Sequence, residues 1–182
     1  MSIIKHTDQR IAVFIDTQNL YHSAKNIHRK RVNFANILKD AVSGRNLIRA
    51  IAYVISTEAG DEKNFFEALE KAGIETKVKS LQTFADGSKK ADWDVGVAVD
   101  AIRLAARVDA VVIVSGDGDF VPLIEYLKAG MQTQVEVMAF GKASSQKLKE
   151  VADEFVDLSD SQRKYLMGGS SQTRGRRTRK KQ

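Results

Sequence analysis

Four aspartates of this sequence stand where an α/β fold would gather acidic side chains: Asp16, Asp94, Asp117 and Asp119. Asp16 ends the apolar run IAVFID, and Asp117 and Asp119 follow the apolar run AVVIVS. Short β-branched runs of this kind, each followed by small residues and a helical pattern, are typical of buried parallel strands. Ligands of open α/β sheets bind at the carboxyl ends of such strands. We therefore expect the four carboxylates to meet at that edge of the sheet.

Clustered carboxylates without neighbouring bases repel one another, and each is driven towards its protonated form. A hard divalent cation removes this conflict, because Mg²⁺ and Mn²⁺ prefer oxygen ligands and combine a few carboxylates with water and phosphate. The pattern therefore predicts a Mg²⁺ or Mn²⁺ site for phosphate esters, in which the four aspartates are both metal ligands and catalytic residues. Simpler roles stay open, since Asp16 could cap the helix that follows it, and Asp117 and Asp119 could favour a helix N-terminus.

Glycines and polar residues around these aspartates are predicted to support the site. Gly116 and Gly118 permit the sharp turn that brings Asp117 and Asp119 to one cation. Ser115 could bond a carboxylate or the substrate, although backbone groups could equally satisfy it. The predicted substrate contacts are Asn19, Ser115 and Lys90, together with Arg174, Arg176 and Arg177 near the C-terminus.

Residues on either side of Asp94 have less direct predicted roles. Asp92 and Asp100 are expected to support the site from outside the metal shell or to be structural, because helical spacing does not put Asp94 and Asp100 on one face. Trp93 could stack on a base, but core packing is the more typical role for a tryptophan beside a helix start. Asn19 could contact a phosphate oxygen or orient Asp16.

Strand and helix patterns alternate along the chain, which predicts βαβ units with right-handed crossovers. The predicted strands are 11–16, 47–56, 75–81, 110–115 and 134–140, and 155–160 could add a short segment. The predicted helices are 20–30, 34–42, 61–71, 93–107, 121–128 and 144–153, with Gly130 just past the fifth and Ser144 capping the sixth. We expect a three-layer α/β fold with a mainly parallel sheet of about five strands in the order 3-2-1-4-5, and helices on both faces.

Bulk composition excludes several classes of protein. A hydrophobic content of 43% over 182 residues supports one globular core, and the absence of cysteine excludes disulfides and thiolate zinc sites. We find neither an apolar run of membrane-spanning length nor a secretory signal, which predicts a soluble, cytoplasmic protein. Neither the P-loop motif GxxxxGK[ST] nor a complete G-x-G-x-x-G is present, and Gln18 stands where a haloacid-dehalogenase-type phosphatase would need its second aspartate.

The net charge of +6 comes from the C-terminal segment RGRRTRKKQ, residues 174–182. Without its six basic residues the chain holds 23 basic and 23 acidic residues and is formally neutral. Such a segment cannot bury apolar surface, so we expect a disordered arm. Two roles stay open for this arm, attraction of nucleic-acid phosphates and simple solubilisation.

Three segments in this order, FIDTQNL, KKADWDVGVAVDAIRLA and VVIVSGDGDFVPLIEYLKAGMQTQVEV, resemble the NYN domain, specifically its bacterial LabA-like branch within the PIN-like nuclease group. The resemblance spans about residues 11 to 158. It implies a PIN-like Rossmannoid fold and a ribonuclease site that depends on Mg²⁺ or Mn²⁺. By motif position, the acidic ligands fall on Asp16, Asp94, Asp117 and Asp119, with Asn19 and Asp100 also matched. DTQN departs from the commoner DGxN, so Thr17 could narrow backbone access to the substrate.

These observations predict a flexible N-terminus (1–10), an NYN domain (11–160) and a flexible basic tail (161–182). The leading hypothesis is a metal-dependent endoribonuclease that acts on RNA, single strands above all. Two alternatives stay open: an RNA-binding or regulatory module with weak or no catalysis, and a small nucleotide phosphohydrolase. We expect no membrane partner, and a homodimer stays open.

Overall fold

The computed structural model describes residues 3–56, 63–83, 89–90 and 92–168. Its strands are β1 (Arg10–Asp16), β2 (Arg31–Val32), β3 (Asn46–Ser56), β4 (Glu75–Ser80), β5 (Gln82–Thr83), β6 (Lys89–Lys90), β7 (Ala110–Val114), β8 (Gln134–Ala139), β9 (Glu154–Asp157) and β10 (Leu166–Met167). Its α-helices are α1 (Thr17–His28), α2 (Phe34–Val42), α3 (Lys63–Lys71), α4 (Asp94–Ala105), α5 (Val121–Met131), α6 (Gln146–Val151) and α7 (Gln162–Tyr165).

Six strands form one parallel sheet in the order β4-β3-β1-β7-β8-β9. The predicted order of five strands is confirmed, and β9 adds a sixth strand at the edge. β1 and β7 are neighbours, with Ile15 paired to Val114. Because these strands end level with each other, the loops that follow them lie side by side.

The central strands are buried on both faces, and their alternating side chains enter two separate cores. In β1, Ile11, Val13 and Ile15 pack under α1, α2 and α3, whereas Ala12 and Phe14 pack under α4, α5 and α6. A strand that is buried on both faces must be apolar at every position, which explains the unbroken run IAVFI. The fold therefore has the three predicted layers, with helices on both sides of the sheet.

Several helix ends differ from the sequence-based bounds. α1 begins at Thr17 instead of residue 20, because Asp16 caps it. α5 continues to Met131, so Gly130 lies inside the helix, and Gln132 takes the left-handed conformation after its end. α6 is capped by Ser145, whose side chain accepts from the Leu148 N–H, and not by Ser144.

The described chain continues as regular structure beyond residue 160, where the sequence places the start of a flexible tail. β10 pairs antiparallel with β2, and Tyr165 is buried while its hydroxyl donates to Asp40. Buried apolar contacts of Tyr165 and Leu166 hold this segment against the first core. Within the described ranges, no helix combines the length and the apolar character that crossing a bilayer requires.

Candidate active site

Hydrogen bonds join the loops that follow β1 and β7. Asp16 Oδ1 accepts from the backbone N–H of Asn19 at 3.1 Å, and Asp16 Oδ2 accepts from Ser115 Oγ at 3.1 Å. Asn19 Oδ1 accepts from the backbone N–H of Gly116 at 3.0 Å, and Ser115 Oγ accepts from the backbone N–H of Asp117 at 3.2 Å. The two loops therefore hold each other in place, and Asp16 has a fixed orientation.

Three carboxylates converge beside these loops. Asp94, at the first position of α4, and Asp117 and Asp119, after β7, each offer one oxygen within 4.8 Å of the others. Asp117 Oδ1 also accepts from the backbone N–H of Asp119 at 3.0 Å, which fixes the turn. Asp16 lies outside this group of three but lines the same cleft as Asp94 and Asp117.

Burial and mutual repulsion both disfavour the charged state of this cluster. The pKa of Asp94 is raised from 3.8 to about 6, first by burial and then by the charges of Asp117, Asp16, Asp92 and Asp119. The pKa of Asp16 is also raised, again chiefly by burial, although its hydrogen bonds partly oppose the shift. Within the described ranges, no lysine or arginine forms an ion pair with any of the four predicted ligands. Among the described side chains, no protein cation therefore pairs with the cluster to offset its charge.

Gly116 and Gly118 serve this site in a different way from the one that the sequence predicts. Neither has a positive φ, so the turn does not require the special backbone freedom of glycine. A Cβ at Gly116 would lie 2.6 Å from Ser144 Oγ and 3.1 Å from Ser144 Cα, and a Cβ at Gly118 would lie 3.0 Å from Ser145 Oγ. These glycines are needed because the loop before α6 packs directly against them.

The carboxylates open into a cleft of about 300 Å³ at the carboxyl edge of the sheet. Its lining includes Asp16, Asp92, Asp94 and Asp117, polar residues of α1, and the aromatic and apolar residues Trp93, Tyr53 and Ile55. Tyr53 is only 1% exposed, so Trp93 is the more accessible of the two rings. A cleft lined by carboxylates and a tryptophan can take a phosphate and an adjoining base.

Comparison with known proteins identifies the family to which a chain with this fold and site belongs. Residues 10–159 match the NYN domain family, which covers the whole sheet and every aspartate of the cluster. The chain belongs to the NYN domain family. This family is one of PIN-like nucleases, so membership supports a nuclease- or RNA-related role.

Two individual proteins are similar to this NYN domain over most of its length. The protein "Low amplitude and bright protein LabA" of Synechococcus elongatus is 29% identical over 163 residues, which cover 83% of this chain and 84% of that protein. The crystal structure of a protein of unknown function from Vibrio parahaemolyticus superposes with a TM-score of 0.81 at 32% identity. The match covers 91% of this chain and all of that one.

The chemistry of the NYN cluster fits a divalent cation. NYN nucleases generally use divalent metal ions. Asp94, Asp117 and Asp119 present converging oxygens that form no ion pair with any described lysine or arginine, and hard cations prefer oxygen donors. A bound cation would remove the repulsion that raises the pKa of Asp94.

The remaining predicted site residues have varied positions. Asn19 lines the cleft, so a substrate contact by its amide remains a prediction. Ser115 is fully buried, donates to Asp16 Oδ2 and accepts from the Asp117 N–H, which is the carboxylate contact that the sequence left open, and a substrate contact by Ser115 stays a prediction. The side chain of Lys90, and Arg174, Arg176 and Arg177, lie outside the described residues.

Asp92 and Asp100 surround the site from different sides. Asp92 lines the cleft next to Asp94, and its charge contributes to the raised pKa of Asp94. Asp100 accepts from Tyr53 Oη at 2.7 Å and from Lys77 Nζ at 2.6 Å. Asp100 therefore holds Tyr53, a residue of the cleft lining, and its supporting role outside the metal shell stays a prediction.

Trp93 belongs to both the core and the cleft. Its ring packs edge-to-face on Tyr53 at 5.3 Å and against the second core, and its indole N–H donates to the carbonyl of Val54 at 3.0 Å. A Cβ at Gly96 would lie 2.6 Å from the Trp93 ring, so α4 needs a glycine there. Since Trp93 is the only tryptophan of the chain, tryptophan fluorescence comes from this one position, where the cleft meets the second core.

Part of the cleft lining comes from residues that the sequence did not predict. His22, Ser23, Asn26 and Ile27 reach the cleft from the face of α1 that follows Asp16. The recurrence of polar residues at helical spacing after Asp16 was the available signal, because Gln18, His22 and Asn26 are four residues apart. Tyr53 gave no such signal, since it lies within an apolar strand.

Replacing Asp94 by asparagine is expected to stabilise the metal-free protein at neutral pH. Because the folded state raises the pKa of Asp94 to about 6, its charge costs stability increasingly as the pH rises from about 4 to above 6. After allowance for solvent screening we expect a gain of about 1 kcal/mol, or about 2–4 °C in Tm. Thermal unfolding with a chelator at pH 7.5 and pH 4 measures it.

The exposed Asp160 provides the matched control for this measurement, because Asp160→Asn removes the same charge outside the cleft. The Asp94→Asn gain should fade at pH 4 and should turn into a deficit when saturating Mn²⁺ is present, since the variant loses a ligand. A gain of equal size from Asp160→Asn would argue against local repulsion at the cluster.

Proposed function

We propose that this NYN domain is a metal-dependent endoribonuclease that hydrolyses phosphodiester bonds of single-stranded RNA at the aspartate cluster. The observation that carries the proposal is the convergence of Asp94, Asp117 and Asp119 within 4.8 Å, with no ion-pair partner among the described side chains, in a chain of a PIN-like nuclease family. Four acidic side chains in one cleft would repel an RNA phosphate unless a cation is present. The same feature therefore supports both the metal and the polyanionic substrate.

Asp94, Asp117 and Asp119 would hold Mg²⁺ or Mn²⁺, and Asp16 would complete the site from the β1 loop. When bound, such a cation lowers the pKa of a water molecule and neutralises charge that develops on a phosphate. Hydrogen bonds of Ser115 and Asn19 fix Asp16 relative to the loop after β7, so that the carboxylates need not reorganise when the cation binds.

In the reaction, the oxygen of a water forms a bond to phosphorus while the P–O3′ bond breaks, and the 3′-oxygen leaves with a proton. The products carry a 5′-phosphate and a 3′-hydroxyl. The partly exposed ring of Trp93, which packs on the buried Tyr53, would form an aromatic wall that receives a base next to the cleaved bond. Because stacking accepts any base, this wall favours unpaired RNA over a duplex.

The test is cleavage of a single-stranded RNA oligonucleotide by the purified full chain with Mn²⁺, with Mg²⁺ and with a chelator. We expect internal cuts that need the metal and leave 5′-phosphate ends. A preference for mononucleotides would identify a small nucleotide phosphohydrolase instead. Metal binding seen by Trp93 fluorescence together with RNA binding but no cleavage would identify a binding or regulatory module.

A further inference from the structure

A basic concave surface continues from the cleft along α1. It is formed by Tyr21, Lys25, Asn26, Arg29, Lys30, Arg31 and Gly168, and we call it the α1 track. Asn26 lines both the track and the cleft, so the two surfaces meet without a break. A ligand that fills the cleft can therefore extend onto the track.

The four basic residues of the track lack acidic partners. Within the described ranges, none of Lys25, Arg29, Lys30 and Arg31 forms an ion pair. Elsewhere in the described ranges some basic residues are paired, as in the bridges Arg49–Glu75 and Lys128–Asp153, and others are not, so what distinguishes the track is that four unpaired cations line one surface. Four neighbouring cations without partners create a positive potential that suits a polyanion.

Helical spacing aligns the track with the cleft. His22 and Lys25 are three residues apart and exposed, so they share one stripe of α1, and the exposed Arg29 follows directly after the helix. Gln18 and His22 line the cleft at the start of this stripe. From Gln18 to His28 the helix rises by about 15 Å, enough for a strand to pass several side chains.

Tyr21 gives the track an aromatic surface. Its side chain is 49% exposed, which is unusual for a large hydrophobic residue, and Lys25 Nζ lies 5.5 Å from its ring centre. The ring of His22 meets it edge-on at 5.6 Å. An exposed ring beside cations is the combination that binds unpaired bases together with their phosphates.

Arg29 occupies a backbone position that favours glycine. It ends α1 with a φ of +53°, and its N–H donates to the carbonyls of Ala24 and Lys25. Residues other than glycine and asparagine rarely adopt this conformation. A glycine at Arg29 would therefore remove the cation and suit the backbone better.

We propose that the α1 track binds the sugar–phosphate backbone of single-stranded RNA and leads the strand to the aspartate cleft, with a base stacked on Tyr21. The ligand class rests on the proposed function, whereas the path of the strand rests on the track itself. Lys25, Arg29, Lys30 and Arg31 contact phosphates, and the acidic cluster receives the phosphate that is cut.

The experiment measures the binding of a single-stranded RNA oligonucleotide by full-length Asp117→Asn protein, so that cleavage does not interfere. Adding Lys25→Gln and Arg29→Gly should weaken binding about tenfold or more near 0.1 M salt. It should also reduce the slope of log K against log salt by about 1.4, since each phosphate contact contributes about 0.7. Tyr21→Ala should weaken binding about tenfold, whereas Tyr21→Phe should bind like its parent.

The matched control is Lys39→Gln with Lys71→Gln, which removes two exposed cations from α2 and α3. Its binding should change by less than about threefold. If the track variant and this control bind RNA with equal affinity and equal salt dependence, the proposal that the α1 track binds RNA is wrong. Tighter binding of duplex RNA than of single strands would overturn it as well, because a paired base cannot stack on Tyr21.

A second readout separates this inference from the proposed function. The same track changes are placed in the chain that retains Asp117, and RNA cleavage is measured at low RNA concentration. If the track variant cleaves and binds RNA normally, the proposal that the α1 track binds RNA is wrong, whereas the proposal that the chain is a nuclease still holds. Loss of RNA binding in the variant, combined with no cleavage by the unaltered chain, would support the track and reject the nuclease.

Discussion

Replacing Asp117 by asparagine is expected to lower the rate of RNA cleavage by about a thousandfold or more. The substitution removes one of the three converging charges while keeping an oxygen in nearly the same place. The asparagine Oδ1 can still accept from the Asp119 N–H, so the turn after β7 should keep its shape. The loss should therefore appear as lost metal affinity and lost turnover, without unfolding.

Three assays measure turnover, metal affinity and stability separately: RNA cleavage, Trp93 fluorescence during a Mn²⁺ titration, and thermal unfolding. Asp160→Asn is the control, because it removes an exposed carboxylate outside the cleft and should change none of them. Cleavage by Asp117→Asn at the rate of the unaltered protein would remove Asp117 from the proposed site. A fall in Tm of many degrees would instead show that the substitution disturbs the fold.

Replacing Glu136 by glutamine is expected to lower the free energy of unfolding by about 3–5 kcal/mol. Glu136 lies in β8 with only 2% exposure, where it accepts from Arg45, which is also buried. Lys5 Nζ lies 2.9 Å from Glu136 Oε2, and Arg45 also donates to the carbonyls of Ala41 and Val42 at the end of α2. A glutamine would leave the buried Arg45 charge without its counter-ion.

The effect of Glu136→Gln should depend on pH. Burial by itself would raise the pKa of Glu136, but hydrogen bonds from Arg45 and Lys5 outweigh it and hold the pKa below 4.5. A carboxyl with a lowered pKa stabilises the fold above its ordinary pKa, and that contribution is lost as the pH falls through the folded value. The difference between the two proteins should therefore be full at pH 7 and shrink below about pH 4.5.

Denaturant unfolding between pH 3 and pH 7 measures this difference. The matched control is Glu75→Gln, which breaks the exposed pair with Arg49 and should cost less than about 1 kcal/mol. Equal losses from both substitutions would show that burial does not strengthen the Arg45–Glu136 pair. Replacing Arg45 and Glu136 together by methionine and leucine should restore much of the loss, since no buried charge then remains unpaired.

Most of the sheet was predictable because the pattern of apolar residues along a strand indicates which of its faces are buried. The unbroken apolar runs of β1 and β7 indicate strands that are covered on both faces, and the intervening helices require parallel strands. The adjacency of these two strands followed from the predicted order, so their acidic ends were expected to meet. Helix ends were predicted less well, because capping at Asp16 and Ser145 depends on local hydrogen bonds that several neighbouring residues could make.

The sequence by itself determined the three-layer fold and the edge of the sheet at which Asp16, Asp94, Asp117 and Asp119 lie. Only the tertiary structure decided that Asp94, Asp117 and Asp119 converge while Ser115 and Asn19 hold Asp16 beside them. It alone paired Arg45 with Glu136, 91 residues apart, and left the four cations of the α1 track without ion-pair partners among the described residues. The reason is physical. The local pattern of apolar residues indicates which side chains of an element are buried, whereas the pairing of charges depends on which distant side chains the fold brings within a few ångströms.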